Sequence, residues 1–237
     1  MATNFKGNLV NSVRLKSIKV MTAEIITAVL SLFISVFLLY KKEYLILALV
    51  LVAAFFLNKY FIKKYKILRA GSHGEIMTEK LLKKLPGKYT ILSDLEIEHK
   101  GRHAQIDNII LAPNVIFVLE VKNYSGNLYG AENMRELTKI SYYGGEKVKK
   151  TVYNPFFQVR THADVVRQLL RDNGIYAIVD SGVLFTGNNF DIKFDLENEN
   201  AFFYGENTKN QIIKKIKSYG GNYKYDKKKA IKIIEKN

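Results

Sequence analysis

Gln105-Ile106-Asp107-Asn108-Ile109-Ile110-Leu111-Ala112-Pro113-Asn114-Val115-Ile116-Phe117-Val118-Leu119-Glu120-Val121-Lys122 reads as two runs of strand-forming residues hinged at Pro113-Asn114. Turn formers between two such runs predict an antiparallel hairpin. A hairpin symmetric about the bond between 113 and 114 sets Asp107 opposite Glu120 and Gln105 opposite Lys122. Opposed residues share a face of a sheet, so Asp107, Glu120 and Lys122 converge on one side, continued toward the turn by Ile109, Leu111, Ile116 and Val118. Ile106, Ile110, Phe117, Leu119 and Val121 take the other side. Both faces are mostly apolar, which predicts a sheet covered on both sides. Two acids beside a lysine at its open end are a costly exception.

Two carboxylates a cross-strand distance apart repel unless something positive lies between them, and a hard divalent cation such as Mg²⁺ answers that need. A lysine two residues after the second acid sends its ammonium to the same place, where it can hold a metal-bound water or stabilise charge on a phosphate. The alternative is a cross-strand salt bridge in which Lys122 neutralises one of the acids. Spacing alone leaves both open.

Asp107 followed by Glu120-Val121-Lys122 resembles the D…(D/E)xK signature of the PD-(D/E)xK nuclease superfamily. Four blocks narrow the resemblance: Gly71-Ser72-His73-Gly74-Glu75, Gln105-Ile106-Asp107, Leu119-Glu120-Val121-Lys122-Asn123 and Asn154-Pro155-Phe156-Phe157-Gln158. In order and approximate spacing they are similar to the nuclease-related domain, the NERD family, over about residues 71–186. Ile106 stands where the superfamily name carries proline. The resemblance implies an α/β, restriction-endonuclease-like mixed sheet flanked by helices. It also implies that Asp107, Glu120 and the Val121 carbonyl hold Mg²⁺ or Mn²⁺, that Lys122 is catalytic, that Gln158 lies beside the site, and that Glu75 can approach the metal.

The chain has 237 residues, 48% of them hydrophobic, enough for one ordinary domain and something more. It has no cysteine, which rules out a disulfide framework and thiolate metal sites. Histidines 73, 99, 103 and 162 lack the spacing of a zinc site. A formal charge of +15 invites a nucleic-acid reading, but its distribution matters more than its sum. Residues 1–70 hold eleven Lys/Arg against two acids, and residues 208–237 hold ten against two, so the part between is close to neutral.

Residues 21–40 form an apolar run interrupted only by Glu24, long enough to cross a hydrocarbon core as a helix. Residues 45–57 form a second, shorter run that reaches spanning length, about 44–61, if Tyr44 and Tyr60 sit at the interfaces and Lys59 snorkels. Lys41-Lys42-Glu43 is the only connection, which forces an antiparallel helical hairpin. Basic residues flank both of its outer ends, so the positive-inside rule expects both termini in the cytoplasm of a multi-pass cell-membrane protein. A re-entrant or interfacial second segment is the rival reading. A cleaved signal peptide fits poorly, because the apolar core is long and starts about twenty residues in. The expected division is a membrane anchor over 1–70 and a nuclease-like domain over 71–237 with a Lys-rich tail from about 208.

Residues 60–69 read as a basic juxtamembrane linker suited to anionic lipid headgroups. Ser72-His73-Gly74-Glu75 reads as a capping box opening a helix to about Leu85, stopped by Pro86-Gly87, which gives Glu75 a purely structural alternative role. A strand is expected over 89–97, and strand pieces over 137–143 and 147–152 joined by Gly144-Gly145. Asn154-Pro155 predicts a helix start, with the helix ending at Asp172 before Asn173-Gly174 and carrying Gln158 and His162 on one face. For His162 ordinary surface chemistry is the expectation. Residues 175–185 predict a strand, 188–200 a loop, 201–204 an edge strand, and 207–218 and 226–236 lysine-rich helices that can meet nucleic-acid phosphates or lipid headgroups. These features together predict a membrane-anchored, metal-dependent nuclease acting on DNA from the cytoplasmic side. The alternative is a non-catalytic tether that binds nucleic acid or a protein partner through an inactive copy of the fold.

Overall fold

The computed structural model describes residues 4–6, 9–197, 199–220 and 224–236. It divides into two compact units, residues 10–73 and residues 1–9 with 74–237. The first unit is helical. Helix α1 covers Leu9–Tyr40 and helix α2 covers Tyr44–Leu82, joined by a tight turn in which Lys42 adopts φ 58°. Within them Ile18–Tyr40 and Tyr44–Lys66 are each long and apolar enough to cross a membrane, and their large hydrophobic side chains are almost all exposed. Aliphatic surface left open on that scale belongs against lipid or a partner rather than water.

One expectation is overturned here. Ser72 to Glu75 does not open a helix, because α2 continues through it from Tyr44 to Leu82, and the basic stretch 60–69 is helical rather than a linker. The physical reason is that no residue from 58 to 82 is a proline, so a polar cap signature met inside an established helix has nothing to terminate.

The second unit is a mixed α/β domain. Strands β1 (Asn4–Lys6), β2 (Thr90–His99), β3 (Arg102–Leu111), β4 (Ile116–Lys122), β8 (Val179–Phe185) and β10 (Ala201–Phe203) form a six-stranded sheet in the order β1-β2-β3-β4-β8-β10. The β2-β3-β4 meander is antiparallel, and β1, β8 and β10 join in parallel. A smaller sheet, ordered β7-β6-β5-β9, comprises β5 (Gly126–Tyr129), β6 (Glu136–Tyr143), β7 (Glu146–Tyr153) and β9 (Phe190–Ile192). Helices α3 (Pro155–Asp172), α4 (Thr208–Ser218) and α5 (Lys227–Lys236) complete the domain.

Both faces of the large sheet are covered, as the apolar pattern required. Ile109, Leu111, Ile116 and Val118 pack with Val159, Val166 and Leu170 of α3 and with Ala230 and Ile234 of α5. Ile110, Phe117 and Leu119 pack with Leu81 and Leu82 at the end of α2 and with Ile212 and Ile216 of α4. Both lysine-rich helices are therefore core elements on their apolar sides. The far end of the chain also clamps the hairpin turn: Asn114 Nδ2 donates to the Tyr219 carbonyl, and the Tyr225 hydroxyl donates to the Ala112 carbonyl at 2.7 Å.

Helix α3 begins where Asn154 predicts. Its side chain accepts from the Phe156 N–H at 2.9 Å, and proline fills the first helical position. At the other end Gly174, at φ 74°, lets the Ile175 N–H return to the Leu170 carbonyl.

Candidate metal-binding and catalytic site

The hairpin register is the expected one: Asn108 pairs with Leu119, Ile109 with Val118, Ile110 with Phe117 and Leu111 with Ile116. The ladder stops one step short of Asp107 and Glu120. There the Val121 N–H donates not to main chain but to Asp107 Oδ2, at 2.7 Å. On the other side, the β2–β3 pairing runs from Thr90–Leu111 to Ser93–Asn108, skips Asp94 and Asp107, and resumes at Leu95–Ile106. Asp94 adopts φ 55°, a conformation aspartate tolerates better than most residues. This local break shifts the side-chain alternation. Ile106, expected on the face away from Ile109, packs in the same cluster as Ile109.

Three elements supply the site. Strand β3 brings Asp107, the end of β4 brings Glu120 and Lys122, and one face of α3 brings Gln158 and His162. The Lys122 ammonium donates to Glu120 Oε1 at 2.6 Å and to Gln158 Oε1 at 3.0 Å. Glu120 Oε2 is buried and accepts no hydrogen bond of normal geometry; it faces His162 Nδ1 at 3.4 Å. His162, 12% exposed at its side chain, is thus a site residue that the sequence reading placed on the surface. Its position four residues after Gln158 was the available signal.

The electrostatics follow from burial and crowding. Desolvation, then the Glu120 charge, push the Asp107 carboxyl up to about 7. Burial also acts on Glu120, but the His162 contact and the Lys122 ammonium outweigh it and hold Glu120 below its ordinary value. Burial opposes the Lys122 charge, and Glu120 overcomes it, raising the lysine further. Tyr124, just beyond, is raised by burial. The pair therefore favours one negative charge over two.

A divalent cation fits this arrangement in part. Glu120 presents a buried oxygen without a hydrogen bond, and Asp107 is kept from ionising partly by the charge of Glu120, a repulsion that a cation relieves. Among the described residues no three His, Asp or Glu side chains converge as a complete ligand set. Glu75, half-buried on α2, is not gathered with the pair in such a set. Main-chain carbonyl and water oxygens would have to complete the coordination.

Around this centre the backbone is closely fitted. The Thr186 N–H donates to the Lys122 carbonyl at 3.0 Å. A Cβ placed on Gly74 would lie 2.6 Å from Thr186 Oγ1, and one on Gly187 would lie 1.5 Å from the Tyr124 carbonyl oxygen.

Residues 70–186 match the model of the nuclease-related domain family, and the match spans the Asp107, Glu120, Lys122, Gln158 and His162 cluster. Residues 70–186 form a NERD domain. NERD belongs to the PD-(D/E)xK-like nuclease superfamily, whose members generally use divalent metals. The chain is also similar to an uncharacterized protein of Bacillus anthracis, 32% identical over 130 residues, which cover 54% of this chain and 59% of that protein. The chain thus spans a little over half the length of that curated relative. No solved structure matches it.

Proposed function

We propose that this chain is a membrane-anchored, divalent-metal-dependent nuclease that hydrolyses DNA phosphodiester bonds at the cytoplasmic face. The observation that carries the reading is the convergence of Asp107, Glu120, Lys122 and Gln158 at the broken end of the β3–β4 ladder, within a NERD match. Asp107 and Glu120, with the Val121 carbonyl, would hold Mg²⁺ or Mn²⁺. A metal bound there supplies Lewis acidity and lowers the pKa of a bound water. Lys122, anchored by the Gln158 carbonyl oxygen, holds a fixed positive charge beside the reacting phosphate, where negative charge grows in the transition state. His162, facing Glu120 Oε2, joins Lys122 in favouring the ionised form of Glu120. The two apolar helices anchor the domain, and their basic flanks favour a cytoplasmic orientation.

The short Lys122–Glu120 ion pair favours a second reading, in which these residues only neutralise one another in an inactive, tethering copy of the fold. Two substitutions in the full chain separate the readings. Under the nuclease reading Glu120→Gln abolishes cleavage of linear DNA and lowers Mn²⁺ affinity, since an anionic ligand is lost. Lys122→Ala abolishes cleavage while Mn²⁺ binding survives or tightens. Under the tethering reading Mn²⁺ leaves the melting temperature unchanged, and Lys122→Ala mainly destabilises the fold. Calorimetric Mn²⁺ titration with a cleavage assay decides between them, and a Glu120→Gln protein that still cut DNA would end the nuclease reading.

A further inference from the structure

The β6–β7 hairpin is inserted between the two elements that carry most of the site. Strand β4 ends at Lys122, and β5 starts at Gly126; β7 ends at Tyr153, and Asn154 caps the helix bearing Gln158 and His162. The two faces of this small sheet differ. On the inner face Leu128, Leu137 and Ser141 are buried, and Lys139 lies over the Tyr124 ring, 5.4 Å from its centroid.

The outer face is built otherwise. The register pairs Glu136 with Tyr153, Thr138 with Thr151, Ile140 with Lys149 and Tyr142 with Lys147, and it sets Tyr129 beside Thr138. Tyr129, Tyr142, Tyr153, Lys147 and Lys149 therefore share one face. Tyr142 is 62% exposed and Tyr153 50%. The Gly144-Gly145 turn is open as well, with nothing within 4 Å of a Cβ at either position.

Strand β7 is a sheet edge, and lysines on an edge discourage pairing with another chain. That role explains Lys147, Lys149 and Lys150 but gives no use to three rings on the broad face. Tyrosine rings interleaved with lysines do suit one class of ligand: an unpaired nucleic-acid strand, whose bases stack on aromatic faces while its phosphates meet ammonium groups. A duplex keeps its bases stacked inside and offers this surface phosphates only. From the Glu136–Tyr153 pair to the Tyr142–Lys147 pair the face extends about 20 Å at the rise of a strand, room for several nucleotides. Its Tyr153 end adjoins the helix of Gln158.

We propose that the outer face of the β6–β7 hairpin binds single-stranded nucleic acid and leads it to the Asp107–Glu120–Lys122 centre. The binding surface stands on its own observations; only the delivery to a cleaving centre rests on the nuclease reading. The test uses the full chain in detergent micelles with EDTA present, and fluorescence anisotropy with a labelled DNA of about 20 nucleotides, as single strand and as blunt duplex. Replacing Tyr142 and Tyr153 together by alanine should weaken single-strand binding tenfold or more, given the usual worth of base–aromatic stacking, and leave duplex binding within about twofold. The corresponding Tyr→Phe pair, which keeps the rings, should bind the single strand as the wild type does. Lys147→Gln with Lys149→Gln should flatten the salt dependence of single-strand binding by about 1.4 in log–log slope. Unchanged single-strand binding in the alanine pair, an equal loss for duplex, or a phenylalanine pair as weak as the alanine pair would overturn the proposal. Cleavage measured separately with Mn²⁺ distinguishes the two readings. A wild type that binds single strands and cuts nothing removes the nuclease and leaves the surface; a cleaving protein indifferent to the alanine pair does the reverse.

Discussion

Asp107 is the residue whose protonation the fold changes most visibly, and the change carries a sign. A carboxyl raised from 3.8 to about 7 binds more protons folded than unfolded between those values, so stability falls as pH rises through that window. The metal-free chain should therefore melt lower at pH 8 than at pH 5 as far as this group governs it. Mn²⁺ should counter the trend, raising the melting temperature more at pH 8, where Asp107 is already ionised and the metal has no proton to displace into solvent. Differential scanning fluorimetry with EDTA and with Mn²⁺ reads both, and a Mn²⁺ effect independent of pH would remove Asp107 from the ligand set. Gln158 makes a second test: with its carbonyl gone in Gln158→Ala, Lys122 keeps only Glu120, and kcat should fall about ten- to a hundredfold while Mn²⁺ affinity holds. Strand alternation was enough to bring Asp107, Glu120 and Lys122 together in the sequence. It could not reveal His162, because helix periodicity tells which residues share a face but not what that face meets. It misplaced Ile106 because the positive φ at Asp94 is written on a different strand.

Among the elements, those with a long repeat or a strong cap were legible, and of the shortest strands only β10, expected as an edge strand at 201–204, was. The Pro113-Asn114 hairpin and the Asn154-Pro155 helix start needed only local chemistry. Strands β1, β5 and β9, of three or four residues, are too short for alternation to register and exist through their neighbours. Strand β5 shows how. Gly126, at φ 85°, lies so close to the Ile140 carbonyl that a Cβ would sit 2.0 Å from its oxygen, so the pairing with β6 depends on having no side chain there. The turn after β8 is tighter still. Gly187→Ala would drive a methyl into the Tyr124 main chain, two residues after Lys122, and should cost about 3 kcal/mol, the upper end of what overpacking typically costs. That corresponds to roughly 6–12 °C in melting temperature. A variant that melted within a degree of the wild type would show that this approach is not needed.

At the scale of the whole molecule the two apolar helices, long enough to span a membrane, make a topology that can be tested. The chain contains no cysteine, so single cysteines can be placed without background. If the hairpin spans, Lys42→Cys at the exposed helical turn should react with an impermeant maleimide added to intact cells, whereas Asn4→Cys and Lys236→Cys should react only after lysis. Shielding of all three before lysis would mean that the helices lie on the membrane or insert without crossing. The composition showed two apolar runs but left the second, shorter one ambiguous, because length alone does not distinguish a span from a re-entrant segment. The structure adds an arithmetic condition. Strand β1 pairs in parallel with β2, Asn4 against Thr90 through Lys6 against Leu92, so the residues before α1 and those after α2 belong to one sheet. Hydrogen-bonded strands cannot lie in different compartments, and the chain between them must cross any bilayer an even number of times. A molecule inserted with an odd count would keep its first strand on the wrong side and leave the outer edge of β2 with unpaired main-chain groups, open to a stray strand from another chain.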